Sequence, residues 1–461
     1  MSLLKIEYEK RRLAAGETLQ AFFNHLRGQY ACLLESCGKG RYSYIAYDPF
    51  LVVWSENDTV QLLQLKNFDP FKKSGAGRIM ERPESLAVSD LFEEFRFNGS
   101  APVPFCGGAA GYFSYDFGTR FVGVRQKVFD DTLIPTYLFG FYDKVFAFDH
   151  EEGALYVIAV GETDLVARRK IDEMKTDLFR TVYPQRKGEV GELTSNLSRD
   201  AYLRKVELIK DLLRKGETYQ VNLSQRFSGD CTKPGWAIYK RLAAVNPSPF
   251  ACYFEYPDFS IVSCSPELLL RKRGLKVESR PIKGTAPRGM NEAEDAVNVA
   301  RLLASEKENA ELSMITDLVR NDLGKVCKVG SVKVLGHREI EKYSHVVHTV
   351  SRVGGELEDK KTVFDCLQAI FPGGSITGCP KKRTMEIIDQ LEDYKRGVYT
   401  GSAGYISFSG DCDFNILIRT MLLKDDKVYF HAGGGIVMDS DPLREYEETL
   451  DKVLALRSAL D

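Results

Sequence analysis

The lysine at position 283 lies between a proline and a glycine, in the segment Pro281-Ile282-Lys283-Gly284-Thr285. Proline restricts the backbone before the lysine and glycine permits unusual conformations after it, so the pattern predicts a fixed strand end or a tight turn. A lysine that is held there and desolvated can act as a nucleophile or base near neutral pH. An ordinary surface turn would show the same pattern, because lysines are rarely buried. The motif alone leaves both interpretations open.

Two pairs of glutamates share a helical spacing. Glu308 and Glu311 lie three residues apart in one predicted helix, and Glu445 and Glu448 repeat the spacing in the last predicted helix. Side chains at i and i+3 face the same way, so each pair can direct two carboxylates at one point. Together the pairs could bind a hard divalent cation through oxygen. A solvated helix face is the alternative, and Lys307 beside the first pair fits that alternative.

Three glycine-rich segments are interpreted as loops. They are Gly373–Gly378, Gly401–Gly404, and Gly433-Gly434-Gly435 shortly before the last predicted helix. Backbone N–H groups in such loops can bind carboxylates or phosphates, although tight turns would need the same glycines. None of the three matches a phosphate-binding or dinucleotide-binding fingerprint.

Three further polar residues could take part in chemistry. Arg419 follows a predicted apolar strand, Phe414–Ile418, and could bind a substrate carboxylate or pair with a structural acid. Glu267, between two predicted strands, could be an acid or base. His348 lies in an apolar run, where a hydrogen-bonded core histidine is the commoner case. Without any family comparison, these features indicate a cation-assisted enzyme that binds a small multi-carboxylate substrate and uses a lysine nucleophile.

Composition narrows the class of protein. The 461 residues carry a formal net charge of −2, which does not indicate nucleic acid or an anionic membrane surface as a partner. The ten cysteines form no C-x-x-C pair, and the histidines show no zinc-ligand spacing, which favours reduced thiols in a cytoplasmic protein. The first ten residues lack the apolar core of a signal peptide, and no run of 18 apolar residues predicts a membrane span.

The predicted strands cluster instead of alternating regularly with helices, which indicates an α+β fold with mainly antiparallel strands. Periodicity and capping residues predict five helices: Asp164–Val182, one that Ser198 caps and that ends near Gly216, about 291–323, one from near Pro380 to before Gly397, and one after Asp441-Pro442. A polar stretch, 184–198, is typical of a linker or surface loop.

Five further segments form a recognisable set: Glu311–Asp322, Pro372–Lys381, Arg396–Gly401, Ile418-Arg419 and Gly433–Ile436. Together they resemble the chorismate-utilising enzymes, which include anthranilate synthase component I and aminodeoxychorismate synthase component I. The resemblance covers nearly the whole chain and is most specific in the second half. It implies an antiparallel β-sandwich core surrounded by helices.

The resemblance also implies roles for individual residues. Mg²⁺ would be bound by Glu311 and Glu448, with Glu308 and Glu445 close by, directly or through water. Glu267 would act as the general acid, Lys283 as the nucleophile, and His348 would line the same site. Chorismate would be contacted by a larger set: Gly284, Thr285, Ser375, Tyr399, Arg419, Gly433, Gly434, Gly435 and Lys452.

Lys283 distinguishes members of the family. Aminodeoxychorismate synthases generally have lysine in this motif and anthranilate synthases have alanine, so the resemblance favours the first activity and keeps the second as the alternative. Isochorismate and salicylate synthases resemble this chain but use a water-activating lysine where Gln220 stands here. A non-catalytic chorismate or tryptophan sensor would not need the glutamates and Lys283. Ammonia is expected from a separate glutamine amidotransferase subunit, because no cysteine here has the sequence context of a glutaminase nucleophile.

Two distant segments resemble the halves of the family's tryptophan pocket. One is Leu33–Ser36 followed by Arg41-Tyr42-Ser43, and the other is Asn246-Pro247-Ser248-Pro249. Two ordinary turns are the alternative. We expect residues 1–185 to form an N-terminal region that carries part of this pocket, and residues 195–457 to form the chorismate-binding catalytic region. Because the halves come from both regions, the N-terminal region should be woven into the same sheet scaffold.

Overall fold

The computed structural model describes residues 4–56, 59–66, 79–83, 95, 97, 100–179, 187–343 and 346–461. The helices within this part of the chain are α1 (Leu19–Leu26), α2 (Tyr115–Phe121), α3 (Asp164–Asp177), α4 (Arg199–Arg214), α5 (Gly235–Val245), α6 (Glu292–Ala304), α7 (Glu306–Gly324), α8 (Val363–Ile370), α9 (Lys381–Leu391) and α10 (Pro442–Leu460).

The described strands are β1 (Lys5–Arg12), β2 (Ala31–Glu35), β3 (Tyr42–Ala46), β4 (Leu51–Glu56), β5 (Thr59–Gln64), β6 (Ile79–Pro83), β7 (Gly108–Phe113), β8 (Tyr137–Tyr142), β9 (Lys144–Asp149), β10 (Ala154–Gly161), β11 (Thr194–Ser195), β12 (Gln220–Asp230), β13 (Phe250–Glu255), β14 (Phe259–Ser265), β15 (Leu268–Arg273), β16 (Lys276–Arg280), β17 (Ile282–Pro287), β18 (Lys333–Lys342), β19 (Val346–Glu356), β20 (Gly378–Cys379), β21 (Ser402–Ser407), β22 (Cys412–Asn415), β23 (Thr420–Lys424) and β24 (Lys427–Ile436).

These strands form two antiparallel sheets. The first has the order β1-β10-β9-β3-β2-β13-β14-β23-β24-β12-β11, with β20 added to β12. The second has the order β17-β19-β16-β15-β22-β21-β7-β8-β4-β5-β6, with β18 added to β19. Strands from the first 161 residues pair directly with later strands, β2 with β13 and β7 with β21. The N-terminal region is therefore woven into the same scaffold, as expected, whereas the functional division at residues 185 and 195 stays a prediction.

The two sheets pack face to face, with helices on their outer faces. Tyr44 of β3 and Tyr405 of β21 meet between the sheets, with ring centroids 5.5 Å apart. Outside the first sheet, α5 and α10 bury Trp236 and Leu456 in one apolar cluster with Phe430 of β24. Outside the second sheet, α7 and α8 pack on β15, β19 and β22 in another cluster. Each large apolar side chain buried this way contributes about 1.5–3 kcal/mol. The predicted α+β sandwich surrounded by helices is confirmed.

Capping residues fix most helix starts. Ser198 accepts a hydrogen bond from the Ala201 amide and caps α4, as predicted. The last helix, α10, begins after Asp441 as predicted, and Asp441 caps it by accepting from the Arg444 amide. The predicted single helix over 291–323 is wrong. The helix is interrupted at Ser305, which has extended backbone geometry. Ser305 caps the second helix, α7, by accepting a hydrogen bond from the Glu308 amide.

A second helix is shorter than the sequence predicts. The predicted helix from Asp164 ends at Asp177, and the end predicted at Val182 lies outside the described residues. All ten cysteines are free, and eight of them are buried, as expected for reduced thiols. Within the described ranges, no helix is both long and apolar enough to cross a membrane.

Candidate active site

Lys283 lies at a bulge in β17, on the edge of the second sheet. The pairing of β17 with β19 shifts register between Lys283 and Thr285, and Gly284 between them has φ +72°. A side chain at Gly284 would be strained, and its Cβ would lie 2.5 Å from Thr349 Oγ1 and 3.2 Å from Glu308 Oε2. The half-buried lysine is thus fixed by the backbone, as the proline–glycine pattern predicts, in a strand bulge.

The three consecutive glycines approach this lysine from the first sheet. The loop predicted for Gly433–Gly435 is wrong, because these residues pair with β12 throughout and belong to β24. A Cβ on Gly435 would lie 3.2 Å from Lys283 Nζ, and one on Gly434 would lie 2.9 Å from Glu445 Oε2. Because these strand residues have no side chains, Lys283 can approach one face of the strand and Glu445 the other. The loop predicted for Gly401–Gly404 is wrong as well, because Ser402–Gly404 pair with β7 as part of β21. The segment Gly373–Gly378 also departs from a simple loop, because it contains a 3₁₀ turn at Gly374–Ile376 and begins β20.

Tyr399 and Lys452 both approach Gly433. The Tyr399 ring stacks on His431, with centroids 4.9 Å apart and an interplanar angle of 8°, and its hydroxyl lies 2.9 Å from where a Cβ on Gly433 would be. Lys452 Nζ donates to the Gly433 carbonyl at 2.8 Å. A hydroxyl and an ammonium group are thus presented beside the open strand, where an anionic ligand could accept both.

Arg419 lies where the chain crosses from one sheet to the other. The strand predicted over Phe414–Ile418 is wrong, because β22 of the second sheet ends at Asn415 and β23 of the first sheet begins at Thr420. Arg419 has φ +52° in this crossing. Its guanidinium donates to Asn246 Oδ1 at 2.6 Å and to His348 Nε2 at 3.4 Å. Held by two partners, the guanidinium still has free donor positions for a substrate carboxylate.

His348 is neutral at pH 7, and its two ring nitrogens hydrogen-bond to neighbouring side chains. Burial, followed by the nearby charge of Arg419, lowers the pKa of His348 to about 3. Arginine can only donate, so Nε2 accepts and the proton of the neutral ring resides on Nδ1. Nδ1 then donates to Thr285 Oγ1, 3.0 Å away. His348 thereby links the bulge of β17 to Arg419.

Glu267 has the properties of a general acid near neutral pH. Its side chain is 2% exposed, and burial raises the pKa of Glu267 to about 7. A hydrogen bond with Ser375, the Ile282 amide at 3.2 Å and the charge of Lys283 oppose that rise without cancelling it. A carboxyl poised near the working pH can give up its proton and recover it.

The four predicted metal-binding glutamates lie together around Lys307. Lys307 Nζ is 3.5 Å from Glu445 and 3.9 Å from Glu311, and Lys452 is 2.6 Å from Glu448. Glu308 lies beside the bulge at Gly284. The two i, i+3 pairs, on α7 and α10, therefore face one region.

The negative charges of the four glutamates favour binding of a cation between them. Burial raises the pKa of Glu308, Glu311 and Glu445, and repulsion between the carboxylates adds to the rise. Burial acts the same way on Glu448, but Lys452 outweighs it and lowers the pKa. Among the described residues, no three His, Cys, Asp or Glu side chains already form a ligand set. The oxygen donors and the surplus of negative charge nevertheless fit a hard divalent ion, which would displace Lys307.

Other residues of the site were missed by the sequence interpretation. Arg396 is 3% exposed and donates to Glu392, to the Asn222 carbonyl and to the Ile376 carbonyl, which fixes the segment that carries Tyr399. The sequence signal for this role was the position of Arg396 at the start of the matching segment Arg396–Gly401. A buried arginine needs several hydrogen-bond acceptors and therefore fixes the segments around it. Lys307 keeps 42% of its side chain exposed, as a solvated face predicts, and it also lies 3.5 Å from Glu445.

Two of the residues predicted for a tryptophan pocket, Ser36 and Pro249, line a separate cavity of about 340 Å³, whereas Pro247 and Ser248 do not line it. Ser36 and Pro249 both line it, together with Tyr44, Tyr405 and Arg273, so the two half-motifs meet. Ser248 is fully buried and hydrogen-bonds to Asn246, and Pro247 lies between them in sequence. None of the predicted catalytic residues is among the described side chains that line this cavity.

The family model for chorismate binding enzymes matches residues 30–458, and the chain belongs to that family. It is 39% identical to aminodeoxychorismate synthase component 1 of Bacillus subtilis (strain 168), over 93% of this chain and 91% of that protein. It is 38% identical to anthranilate synthase component 1 of Acetivibrio thermocellus, over 96% and 93% of the two chains. The crystal structure of anthranilate synthase component I from Streptococcus pneumoniae TIGR4 superimposes with a TM-score of 0.80 at 30% identity, covering 97% of this chain and 99% of that one.

Proposed function

We propose that this chorismate-binding enzyme is an aminodeoxychorismate synthase component I, which converts chorismate and ammonia to 4-amino-4-deoxychorismate in p-aminobenzoate and folate synthesis. Relatives with this activity and with anthranilate synthase activity are similar to the chain at 39% and 38% identity, which does not separate the two. The observation that carries the proposal is the position of Lys283. It is fixed at a bulge beside Gly435, and its charge is close enough to Glu267 to lower the pKa of that carboxyl.

The chain's residues suit two successive substitutions on the chorismate ring. Lys283 attacks C2, the ring double bonds shift, and the C4 hydroxyl leaves with a proton from Glu267. Ammonia then adds at C4, the double bonds shift back, and Lys283 is released from C2. The proton that ammonia loses can return to Glu267, whose pKa of about 7 suits both transfers.

The substrate's carboxylates would be held at the two ends of the site. Arg419, aligned by Asn246 and His348, would bind one carboxylate, and Tyr399 and Lys452 would contact the substrate beside Gly433. Thr285 and Ser375 would line the ring. Bound Mg²⁺, held by Glu308, Glu311, Glu445 and Glu448, would supply positive charge for the ring carboxylate.

Ammonia would come from a separate glutamine amidotransferase subunit in the cytoplasm. The 340 Å³ cavity, with Ser36 and Pro249 in its wall, would hold tryptophan as a structural or regulatory ligand. Anthranilate synthase component I is the alternative activity, favoured by the similarity to that enzyme's structure at a TM-score of 0.80. It would share these contacts but has no evident use for a lysine at position 283.

Product identification tests the proposal. Purified protein is incubated with chorismate, Mg²⁺ and an ammonium salt, and the products are separated by chromatography with absorbance and fluorescence detection. We expect 4-amino-4-deoxychorismate, which an added lyase converts to p-aminobenzoate. Fluorescent anthranilate as the main product would establish the alternative activity.

A further inference from the structure

Arg419 has no acidic partner that is ionised among the described residues. Its guanidinium donates to Asn246 and to His348, and both of these side chains are neutral. The described acids close enough to act on its charge are Tyr343 and Cys264, and burial raises the pKa of both, so neither is ionised at neutral pH. A desolvated cation without an anion is destabilising, and a carboxylate ligand removes that penalty when it binds. The site therefore depends on keeping other carboxylates away from Arg419.

One carboxylate of the chain lies close to this arginine. Glu341 of β18 lies directly opposite His348 of β19, so the two side chains leave the same face of the sheet with their Cβ atoms about 5 Å apart. Because His348 contacts Arg419, an unrestrained glutamate at this position could extend to the guanidinium. Besides burial, the charges that lower the pKa of His348 are those of Arg419 and Lys452, and Glu341 does not raise it. The Glu341 carboxylate is therefore directed away from the histidine.

Two neighbouring side chains hold the Glu341 carboxylate. Arg280, at the end of β16, donates to Oε1, and the Tyr343 hydroxyl donates to Oε2 at 2.7 Å. Each carboxylate oxygen thus has a donor of its own, and the charge of Arg280 balances that of Glu341. The acid is occupied on both sides although it shares a face with His348.

Tyr343 contacts both the held carboxylate and the histidine. It is 6% exposed, and its ring meets the His348 ring edge to face, with centroids 5.4 Å apart and an interplanar angle of 63°. Its backbone is fixed as well, because the amide donates to the Val346 carbonyl at 2.8 Å and the carbonyl accepts from Arg288 at 2.8 Å. A rigidly held tyrosine therefore sets where the Glu341 carboxylate lies relative to His348.

We propose that Tyr343 and Arg280 are positioning residues, which hold the carboxylate of Glu341 away from Arg419 and so leave that guanidinium free to bind a carboxylate of the substrate. The inference rests on the proposed function in taking chorismate as that substrate. It explains why a glutamate directly opposite His348 does not neutralise the site. Neither positioning residue has a role at the reacting atoms, so their effect should appear in the affinity for chorismate and not in the rate of the chemical steps.

Neutralising Glu341 tests this inference by rescue. Tyr343→Phe keeps the ring and removes the hydroxyl that holds one oxygen of Glu341. The freed carboxylate should then compete with chorismate for Arg419, which raises KM and the dissociation constant about three- to tenfold while kcat stays nearly unchanged. Glu341→Gln alone should lie within about twofold of wild type, and in the double variant it should restore most of the lost affinity.

Glu339→Gln is the matched control, because Glu339 lies on the same face of β18 and pairs with its own arginine, Arg352, at 2.7 Å. Combined with Tyr343→Phe, it should restore nothing. Each full-length variant is measured for thermal unfolding, for chorismate binding by calorimetry with Mg²⁺ and without ammonia, and for chorismate consumption with ammonium chloride. If Tyr343→Phe does not fold, Arg280→Gln with and without Glu341→Gln gives the same comparison.

Rescue by Glu341→Gln, and not by Glu339→Gln, would support the inference. Wild-type affinity in Tyr343→Phe, or a double variant no better than Tyr343→Phe alone, would overturn it, because removing a charge does not repair lost packing. A main product other than 4-amino-4-deoxychorismate would refute the proposed function and leave these affinities to decide the inference. Failure of the wild type to bind chorismate would overturn both.

Discussion

Replacing Glu267 with glutamine should make the protein more stable at alkaline pH and much less active. Glu267 is 2% exposed, and burial raises its pKa from the usual 4.5 to about 7. Glutamine has nearly the same shape and can still accept from the Ile282 amide. The substitution therefore removes the titration while leaving the packing in place.

The sign and size of the stability effect follow from the shift in pKa. Below pH 4.5 the carboxyl is protonated in both folded and unfolded chains, and it contributes no pH dependence. Between pH 4.5 and 7 the unfolded chain loses the proton while the folded chain retains it, so wild-type stability falls as pH rises. A shift of this size corresponds to about 3 kcal/mol once pH exceeds 7. The free energy of unfolding of Glu267→Gln should not show this fall, because glutamine does not ionise.

The turnover rate of Glu267→Gln should fall, although its stability rises. Without its proton donor, the C4 hydroxyl must leave unaided, and a general acid typically contributes ~10²–10⁴-fold to the rate. In wild type, kcat/KM for chorismate, expressed per free ammonia, should fall above about pH 7 as Glu267 ionises. Glu267→Gln should show a low rate without this fall.

Urea unfolding at pH 5 and pH 8, with ammonium-driven turnover measured alongside, checks both effects. Glu173→Gln, at an exposed position on α3, is the control and should behave as wild type. We expect the variant's stability relative to wild type to increase by about 2.5 kcal/mol between the two pH values, because a small part of the loss has already occurred at pH 5. An equal pH dependence in both proteins, or a variant with more than about a tenth of wild-type activity, would refute the role given to Glu267.

Three further predictions concern the metal ligands, the nucleophile and the source of ammonia. Glu311→Ala and Glu448→Ala should each abolish Mg²⁺-dependent turnover with nearly unchanged thermal unfolding, and full activity at ordinary Mg²⁺ in either variant would contradict the assignment. Lys283→Ala should lose 4-amino-4-deoxychorismate and shift products toward addition at C2, whereas Lys283→Arg should be poor throughout because guanidinium stays protonated; chromatography of the products distinguishes these outcomes. The isolated chain should aminate chorismate with ammonium salts but not with glutamine, and efficient glutamine-dependent turnover by the pure chain would exclude a separate amidotransferase.

Features set by neighbouring residues in the sequence could be predicted. Ser198 and Asp441 start helices because their side chains accept from amides three residues on, a contact that depends only on local geometry. The i, i+3 glutamate pairs follow from helical periodicity in the same way. The fixed backbone at Lys283 follows from the restricted and permissive residues on either side of it.

Features set by distant partners could not be predicted from local patterns. Gly433–Gly435 form a strand because β12, some two hundred residues earlier, supplies a complete pairing partner. Propensity alone places such glycines in a loop. Arg419 lies at a crossing between sheets that exists only once both sheets are assembled. The exposure of Lys307 could be predicted, but its 3.5 Å contact with Glu445 could not, because Glu445 lies on α10, far along the sequence.

The most direct test of the account is whether Lys283 bonds covalently to the substrate. Wild type is mixed with chorismate and Mg²⁺ without ammonia and quenched rapidly, and its intact mass and peptide masses are measured beside those of Lys283→Ala. The account predicts a wild-type mass increase equal to chorismate minus water, located on the peptide that contains Lys283 and lost when ammonia is added. If no adduct forms and Lys283→Ala makes 4-amino-4-deoxychorismate at the wild-type rate, Lys283 is not the nucleophile and the proposed chemistry is wrong.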